Sequence, residues 1–159
     1  MTDPVSAPGD AQAETRDIVV ESVLPHPPEV VWKTLTTPEL IARWLMPNDF
    51  QPILGRRFTF QTRPMGDWDG VVDCQVLELE PPRRLVYSWK GGAQSNDQYG
   101  SRLDSLVTWT LVPEPGDATR LKLLHAGFRS PGNDFAYRIM GEGWGRIMDA
   151  VARIAAEAP

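Results

Sequence analysis

Stretches in which apolar and polar residues alternate recur along the chain, and this period of two is typical of β-strands with one buried face. The first contains Ile18 and Val20. The apolar residues of five later strands are Phe58 and Phe60; Val72, Cys74 and Val76; Leu85, Tyr87 and Trp89; Val107, Trp109 and Leu111; and Leu121, Leu123 and His125. In the second of these the alternation shifts after Val76 to Leu77 and Leu79, which predicts a β-bulge. Short turns at 81–82 and 113–117 favour an antiparallel meander.

Two short helices are predicted between the first two strands, because each begins with residues that suit a first helical turn. Pro28 and Glu29 open the first helix, and Pro38 opens the second with Thr37 as its N-cap. Pro47 ends the second helix. Neither helix is long enough to be stable alone, so we expect both to pack against the rest of the protein.

A long amphipathic helix is predicted for residues 133–158. Met140, Trp144, Met148 and Val151 recur in steps of three and four, which places them on one face. Three glycines lie early in this helix: Gly141, Gly143 and Gly145. Each costs about 1 kcal/mol relative to alanine in a helix interior, so we expect close backbone approach or a bend there.

Together these elements predict an α+β fold, in which a curled six-stranded antiparallel sheet surrounds a long C-terminal helix and two short helices follow strand 1. The long helix is the only element able to cover the apolar face of the sheet. Because a curled sheet touches a straight helix over part of its length, we expect a cavity at the end where the short helices lie. Residues 1–15 lack periodicity and are expected to form a disordered leader, followed by a single domain over residues 16–157.

Composition narrows the classes of partner. The 159 residues include 16 basic and 21 acidic side chains, and the net charge of −5 argues against nucleic-acid binding. Cys74 is the single cysteine, which excludes an internal disulfide and fits a reducing compartment, and we expect it to be a small buried hydrophobe. The chain has neither the pattern of a secretory signal nor an apolar run of about 20 residues. A cytoplasmic protein without a membrane partner is therefore expected.

Few residues in the chain could carry chemistry. His26, His125 and Cys74 are far apart in the sequence, so no metal site is expected, and no phosphate-binding motif suggests a cofactor. His125 shares a strand face with two leucines. It acts either as a hydrogen-bond donor or general base in the cavity, or as a core histidine satisfied by its neighbours.

The predicted ligand-binding residues lie on the apolar faces of strands and helices. They are Trp44, Phe60, Tyr87, Trp89, Trp109, His125, Met140 and Trp144. Ordinary core packing is the alternative for the aromatic members of this set. A cavity lined by aromatic rings with one or two polar tips suits a flat apolar ligand.

Five runs of sequence occur in an order that is typical of a known family. They are PPEVVWKTLTTPELIARWLMP, LGRRFTF, EPPRRLVYSW, VTWTLVPEPGDATRLKLLHAGF and GEGWGRIMDAV. These runs resemble successive motifs of the activator of heat-shock-protein-90 ATPase homologue family, in the START and birch-pollen-allergen-like (SRPBCC) superfamily. The resemblance covers about residues 16–156. It implies the helix-grip fold, in which a sheet grips a C-terminal helix around a hydrophobic cavity.

Three hypotheses for the function remain open, because the superfamily includes lipid carriers, polyketide cyclases and co-chaperone domains. The first is non-catalytic binding of a small hydrophobic or aromatic molecule. The second is a cyclase- or hydrolase-like enzyme that uses His125 with a tyrosine such as Tyr87. The third is a stress-related, co-chaperone-like protein interaction through an exposed apolar surface, although contact with the chaperone itself has little support. Homodimer formation is left open.

Overall fold

The computed structural model describes residues 14–157, and this part of the chain forms six β-strands and three α-helices. The strands are β1 (Thr15–Leu24), β2 (Arg57–Gln61), β3 (Val71–Glu80), β4 (Arg84–Gly91), β5 (Leu103–Glu114) and β6 (Ala118–Arg129). The helices are α1 (Pro28–Thr36), α2 (Pro38–Trp44) and α3 (Asp134–Ala155). The predicted order of elements is confirmed. Residues 1–13 of the predicted leader lie outside the described residues, and its last residue, Thr15, opens β1.

All six strands form one antiparallel sheet in the order β1-β6-β5-β4-β3-β2. Strands β2 to β6 follow one another as a meander, and β1 pairs with β6 at the other edge. The register of β3 against β4 shifts between Val76 and Glu78, which is the predicted bulge. Glu114 pairs with Ala118, so the predicted turn at 113–117 closes the β5–β6 hairpin. The α+β fold with a curled antiparallel sheet is thus confirmed.

The two short helices begin at Pro28 and Pro38, as predicted. Thr37 is the N-cap residue of α2, as predicted, but its side chain does not cap the helix. Its hydroxyl donates to the carbonyl oxygen of Lys33 at 2.7 Å, and α2 has no side-chain cap. A single residue separates the helices, so Thr37 also ends α1, and its hydroxyl serves the last turn of that helix.

The long helix α3 packs against β1, β6, α1 and α2. Its predicted apolar face is buried, and Trp144, Met148 and Val151 are each at most 3% exposed. The strands present the inner faces that the alternation predicts, and Trp109 is only 1% exposed. Cys74 is buried as well, which confirms that prediction. The core therefore lies between the inner face of the sheet and α3, which is the helix-grip arrangement.

Close backbone approach does not explain the glycines of α3. A Cβ atom added at Gly141 or Gly145 would have no heavy atom within 4 Å outside the helix's own backbone. One added at Gly143 would meet only the Nη2 atom of Arg146, at 3.9 Å. Close backbone approach is therefore the wrong explanation, and a bend in the helix stays a prediction. At Gly143 the missing side chain leaves open space beside the helix.

Candidate functional site

A cavity of about 410 Å³ lies beside α3, where the segment that follows α2 passes the helix. We call it the α3 cavity. It is lined by Leu45, Met46, Met65, Trp89, Tyr99, Phe135, Ile139, Met140, Gly143, Trp144, Arg146 and Ile147. Its volume is in the range of about 300–1,000 Å³ that is typical of small-molecule sites. A cleft of about 430 Å³ near Arg102 and Arg129 has a mostly polar lining, which suits such ligands less well.

Helical spacing explains the wall that α3 contributes to this cavity. Phe135, Ile139, Gly143 and Ile147 follow one another in steps of four, so they form one row along the helix. Gly143 stands in the middle of this row and has no side chain to fill the space. The gap left at Gly143 therefore adds to the volume of the cavity.

Three of the eight predicted ligand-binding residues line the α3 cavity. They are Trp89, Met140 and Trp144. The other five, which do not line it, are Trp44, Phe60, Tyr87, Trp109 and His125, each at most 4% exposed. They form a packed aromatic layer behind the wall. Ring centroids of Trp109 and Trp144 are 5.9 Å apart, and those of Trp89 and His125 are 5.2 Å apart. A role for these five in binding stays a prediction.

His125 is fully buried, and both of its ring nitrogens have partners. The indole N–H of Trp144 donates to Nδ1 at 3.0 Å, so Nδ1 carries no hydrogen. The proton is therefore on Nε2, which lies 2.8 Å from Oγ of Ser105 and donates to it. The Ser105 hydroxyl in turn donates to the backbone oxygen of Trp89 at 2.8 Å. We call this arrangement of four residues the His125 hydrogen-bond chain, and it joins β4, β5 and β6 to α3.

Burial lowers the pKa of His125 from its ordinary value of 6.5 to about 3, because a charged imidazole would lose its hydration there. The lone pair of Nδ1 is already occupied by the indole of Trp144. Tyr87, the proposed catalytic partner, instead accepts a hydrogen bond from the indole N–H of Trp109 at 3.1 Å. Burial also raises the pKa of the Tyr87 phenol. The two side chains thus have different hydrogen-bond partners, whereas the enzyme hypothesis needs them to face each other.

Sequence patterns missed much of the cavity wall, for two reasons. Met65 and Tyr99 lie in loops, where no periodicity points to one face. The pattern of an amphipathic helix predicts that a charge such as Arg146 lies on the solvated surface and gives no sign of a cavity. Arg146 is exposed, but its guanidinium lies near the gap at Gly143, on the rim of the cavity. Gly143, in the interior of the helix, is the sequence feature that could have indicated this gap.

Two further observations concern other classes of site. Within residues 14–157 no group of three or more His, Cys, Asp or Glu side chains is arranged to hold a metal ion. None of the three helices described for this part of the chain is long and apolar enough to cross a membrane.

The outer face of the sheet carries several exposed apolar side chains. Val19, Val23, Leu106 and Val112 are each between 43% and 56% exposed. Such side chains would suit the protein-interaction hypothesis, which stays a prediction.

Comparison with known proteins agrees with this architecture. Residues 25–156 match the model of the family described as Activator of Hsp90 ATPase homolog 1-like protein. The solved structure of protein MLL2253 from Mesorhizobium loti is 39% identical, with a TM-score of 0.76 over 91% of this chain and 99% of that one. CalU16 from Micromonospora echinospora is 27% identical, with a TM-score of 0.67 over 91% of this chain and 78% of that one.

A third structure, DynU16 from the dynemicin biosynthetic locus, is 24% identical, with a TM-score of 0.69. The match covers 89% of this chain and 47% of DynU16, and it supports the fold alone. No match is found among curated proteins. The family match spans most of the chain and includes the short helices, strands β2 to β6 and α3. The chain therefore belongs to the activator of Hsp90 ATPase homolog 1-like family, and with it to the SRPBCC superfamily.

Proposed function

We propose that the protein binds a small hydrophobic or aromatic molecule in the α3 cavity, without catalysing a reaction on it. The observation that carries this proposal is an apolar cavity of about 410 Å³ whose wall includes the rings of Trp89, Tyr99, Phe135 and Trp144. Burial of an apolar ligand against such a wall is favourable in proportion to the area that it removes from water.

The wall of the cavity supports binding because its side chains are held in place without a ligand. Trp144 is 3% exposed and is held by its hydrogen bond to His125, and its ring centroid lies 5.8 Å from that of Trp89. A preformed wall lowers the conformational entropy that binding would otherwise cost. The family also fits, since SRPBCC proteins commonly bind hydrophobic ligands.

The surroundings of His125 and Tyr87 support binding without catalysis. His125 lies behind the wall with both ring nitrogens engaged, and burial lowers its pKa to about 3, far from the value that suits a general base at neutral pH. The Tyr87 phenol is buried in the aromatic layer and does not line the cavity.

A change at Gly143 tests the proposal. In Gly143→Leu the new side chain enters the space beside the helix, so we expect the cavity to lose volume and binding to weaken at least tenfold. The probe is the uncharged dye N-phenyl-1-naphthylamine, whose emission rises in apolar sites, titrated at constant protein concentration. Bound dye should also raise the melting temperature, because it stabilises only the folded state.

Gly145→Leu is the matched control. It makes the same substitution on the same helix, at a position where an added Cβ has no neighbour within 4 Å and which does not line the cavity. We expect this variant to bind the dye like the unchanged protein. The proposal fails if the unchanged protein does not bind the dye, or if Gly143→Leu binds it as tightly as Gly145→Leu.

A further inference from the structure

The polar side chains on the wall of the α3 cavity are of one kind, since each can donate a hydrogen bond. They belong to Trp89, Tyr99 and Arg146, which carry an indole N–H, a phenol and a guanidinium. The fourth polar group, the indole N–H of Trp144, is already bonded to His125. Neither a carboxylate nor a side-chain amide lines the cavity. A ligand that satisfies this wall must therefore bring acceptor atoms.

The indole N–H of Trp89 supports the expectation that the ligand brings an acceptor atom. Among the buried tryptophans of residues 14–157, Trp44, Trp68, Trp109 and Trp144 each donate their indole N–H to an acceptor within 3.1 Å. Trp89 is 3% exposed, and its indole N–H has no acceptor in that part of the chain. Buried donors are rarely left unpaired, since an unmade hydrogen bond is costly away from water.

Arg146 adds a positive charge at the same cavity. Its Nη2 atom lies 3.9 Å from the position that a Cβ of Gly143 would occupy, so the guanidinium lies beside the gap in the wall. Within residues 14–157 no carboxylate oxygen is within 4.0 Å of it. Glu142 and Asp149 are close in sequence on α3, but neither lines the cavity. Arg146 therefore places a guanidinium on the cavity rim of a protein whose net charge is −5.

We propose that the ligand is an amphiphilic acid, with an apolar body in the α3 cavity and a carboxylate at the guanidinium of Arg146. This inference rests on the proposed function and specifies the chemical class of its ligand. The carboxylate is acceptor-only, which matches a wall of donors, and the planar guanidinium suits its two oxygens. An uncharged hydrocarbon would leave the exposed guanidinium of Arg146 to water and would bring no acceptor atom to the cavity.

A matched pair of probes separates the contribution of the ligand's carboxylate to binding from that of its apolar body. Decanoate and 1-decanol have the same chain length and differ in the head group, and each is titrated as a competitor against bound N-phenyl-1-naphthylamine. The measured quantity is the ratio of the two dissociation constants. We expect Arg146→Gln to shift this ratio against decanoate by about two- to fivefold, the size of an exposed ion pair. High salt should shift it in the same direction in the unchanged protein.

Arg153→Gln is the control for net charge. It removes the same charge from the exposed surface of α3, and Arg153 does not line the cavity. We expect the ratio to stay unchanged in this variant. A ratio that shifts equally in both variants would overturn the inference, because the effect would then come from overall charge.

The failures of the two proposals can be told apart. If the dye binds and is displaced, but the ratio is the same in the unchanged protein and in Arg146→Gln, the acidic ligand is refuted and apolar binding stands. If the dye does not bind to the unchanged protein, the proposed function fails, and the acidic ligand fails with it. Arg146 is exposed, so its variant should fold, which the far-ultraviolet circular dichroism spectrum checks.

Discussion

His125 is a buried polar side chain with all of its hydrogen-bonding capacity used. Its two nitrogens contact Trp144 and Ser105, and the geometry defines one neutral tautomer. Protonation would place a hydrogen on Nδ1, opposite the hydrogen that Trp144 already donates. The site therefore accepts only the neutral imidazole.

The free energy of unfolding should therefore fall as the solution becomes acidic. Burial lowers the pKa of His125 to about 3 in the folded state, against 6.5 for an ordinary histidine. The unfolded chain binds the proton more readily, so this contribution to stability is complete above pH 6.5 and is lost as the pH falls towards 3. The loss is at most about 1.4 kcal/mol per pH unit. Urea unfolding at a series of pH values measures it.

Comparing His125→Leu with the unchanged protein isolates the contribution of His125 to the pH dependence of stability. The variant leaves the indole N–H of Trp144 without its acceptor and removes the hydrogen bond to Ser105, so it should be less stable at neutral pH by about 1–3 kcal/mol. Its stability should also depend less steeply on pH. His26→Gln, which leaves the His125 hydrogen-bond chain intact, serves as the matched control. An equal slope for His125→Leu and the unchanged protein would contradict the prediction.

Alternation along β6 was enough to predict that His125 faces inward, but not which residues it contacts. Ser105 is its partner because β5 and β6 pair with Val107 opposite His125, which brings Ser105 close. A period of two shows which face a residue is on and leaves the register between strands undetermined. The hydrogen bond to Trp144 depends in addition on how α3 sits across the sheet. The partners of His125 could therefore be found only in the folded structure.

At the scale of elements, sequence patterns predicted the features that depend on neighbouring residues, such as helix starts and the β-bulge. The starts of α1 and α2 follow from prolines at Pro28 and Pro38, whose missing N–H groups cost nothing in a first helical turn. The bulge after Val76 follows from the change of parity. The hydroxyl of Thr37 does not cap α2 because Thr37 belongs to two helices at once, and such competition is not visible in either helix alone.

Glycines provide a prediction at the same scale. Gly145→Ala should raise the free energy of unfolding by about 0.5–1 kcal/mol, since the helix gains propensity and the new Cβ meets nothing within 4 Å. Gly70→Ala should lower it by at least about 1 kcal/mol. Gly70 has a φ of +82°, and a Cβ there would collide with the backbone oxygen of Thr62. Urea denaturation of both variants provides the measurement.

The contrast between the two positions is the control. The same substitution should change the free energy of unfolding in opposite directions. A Cβ at Gly145 has open space around it, whereas a Cβ at Gly70 collides with backbone atoms. A decrease in stability for Gly145→Ala would show that this glycine has a structural role that the fold does not reveal.

At the scale of the whole molecule, the buried thiol of Cys74 reports on global unfolding. It lies on β3 in the core and is 3% exposed. Burial raises the pKa of the thiol, with smaller contributions from the charges of Asp73 and Asp49, so the reactive thiolate is scarce in the folded protein. We expect a disulfide reagent such as dithionitrobenzoate to modify the folded protein at least about a hundredfold more slowly than the unfolded chain.

Labelling at increasing urea concentration tests this expectation. The labelled fraction should rise at the same midpoint as the loss of circular dichroism, since the thiol is freed when the core opens. Protein in concentrated guanidinium chloride provides the reference rate. Fast labelling of the folded protein would show that the β2–β3 edge opens on its own, without global unfolding.

The contacts between tryptophan rings have an optical consequence. Centroids of Trp44 and Trp109 are 5.6 Å apart, those of Trp109 and Trp144 are 5.9 Å apart, and those of Trp144 and Trp89 are 5.8 Å apart. Chromophores this close share their electronic excitations, so the four indoles should give an exciton couplet in the far ultraviolet, where the strong indole transition lies. Two of these rings also form the wall of the α3 cavity. An unlabelled compound that enters the cavity would therefore perturb the spectrum of all four tryptophans. Ligand binding could then be followed from the protein's own absorption and circular dichroism, without a dye.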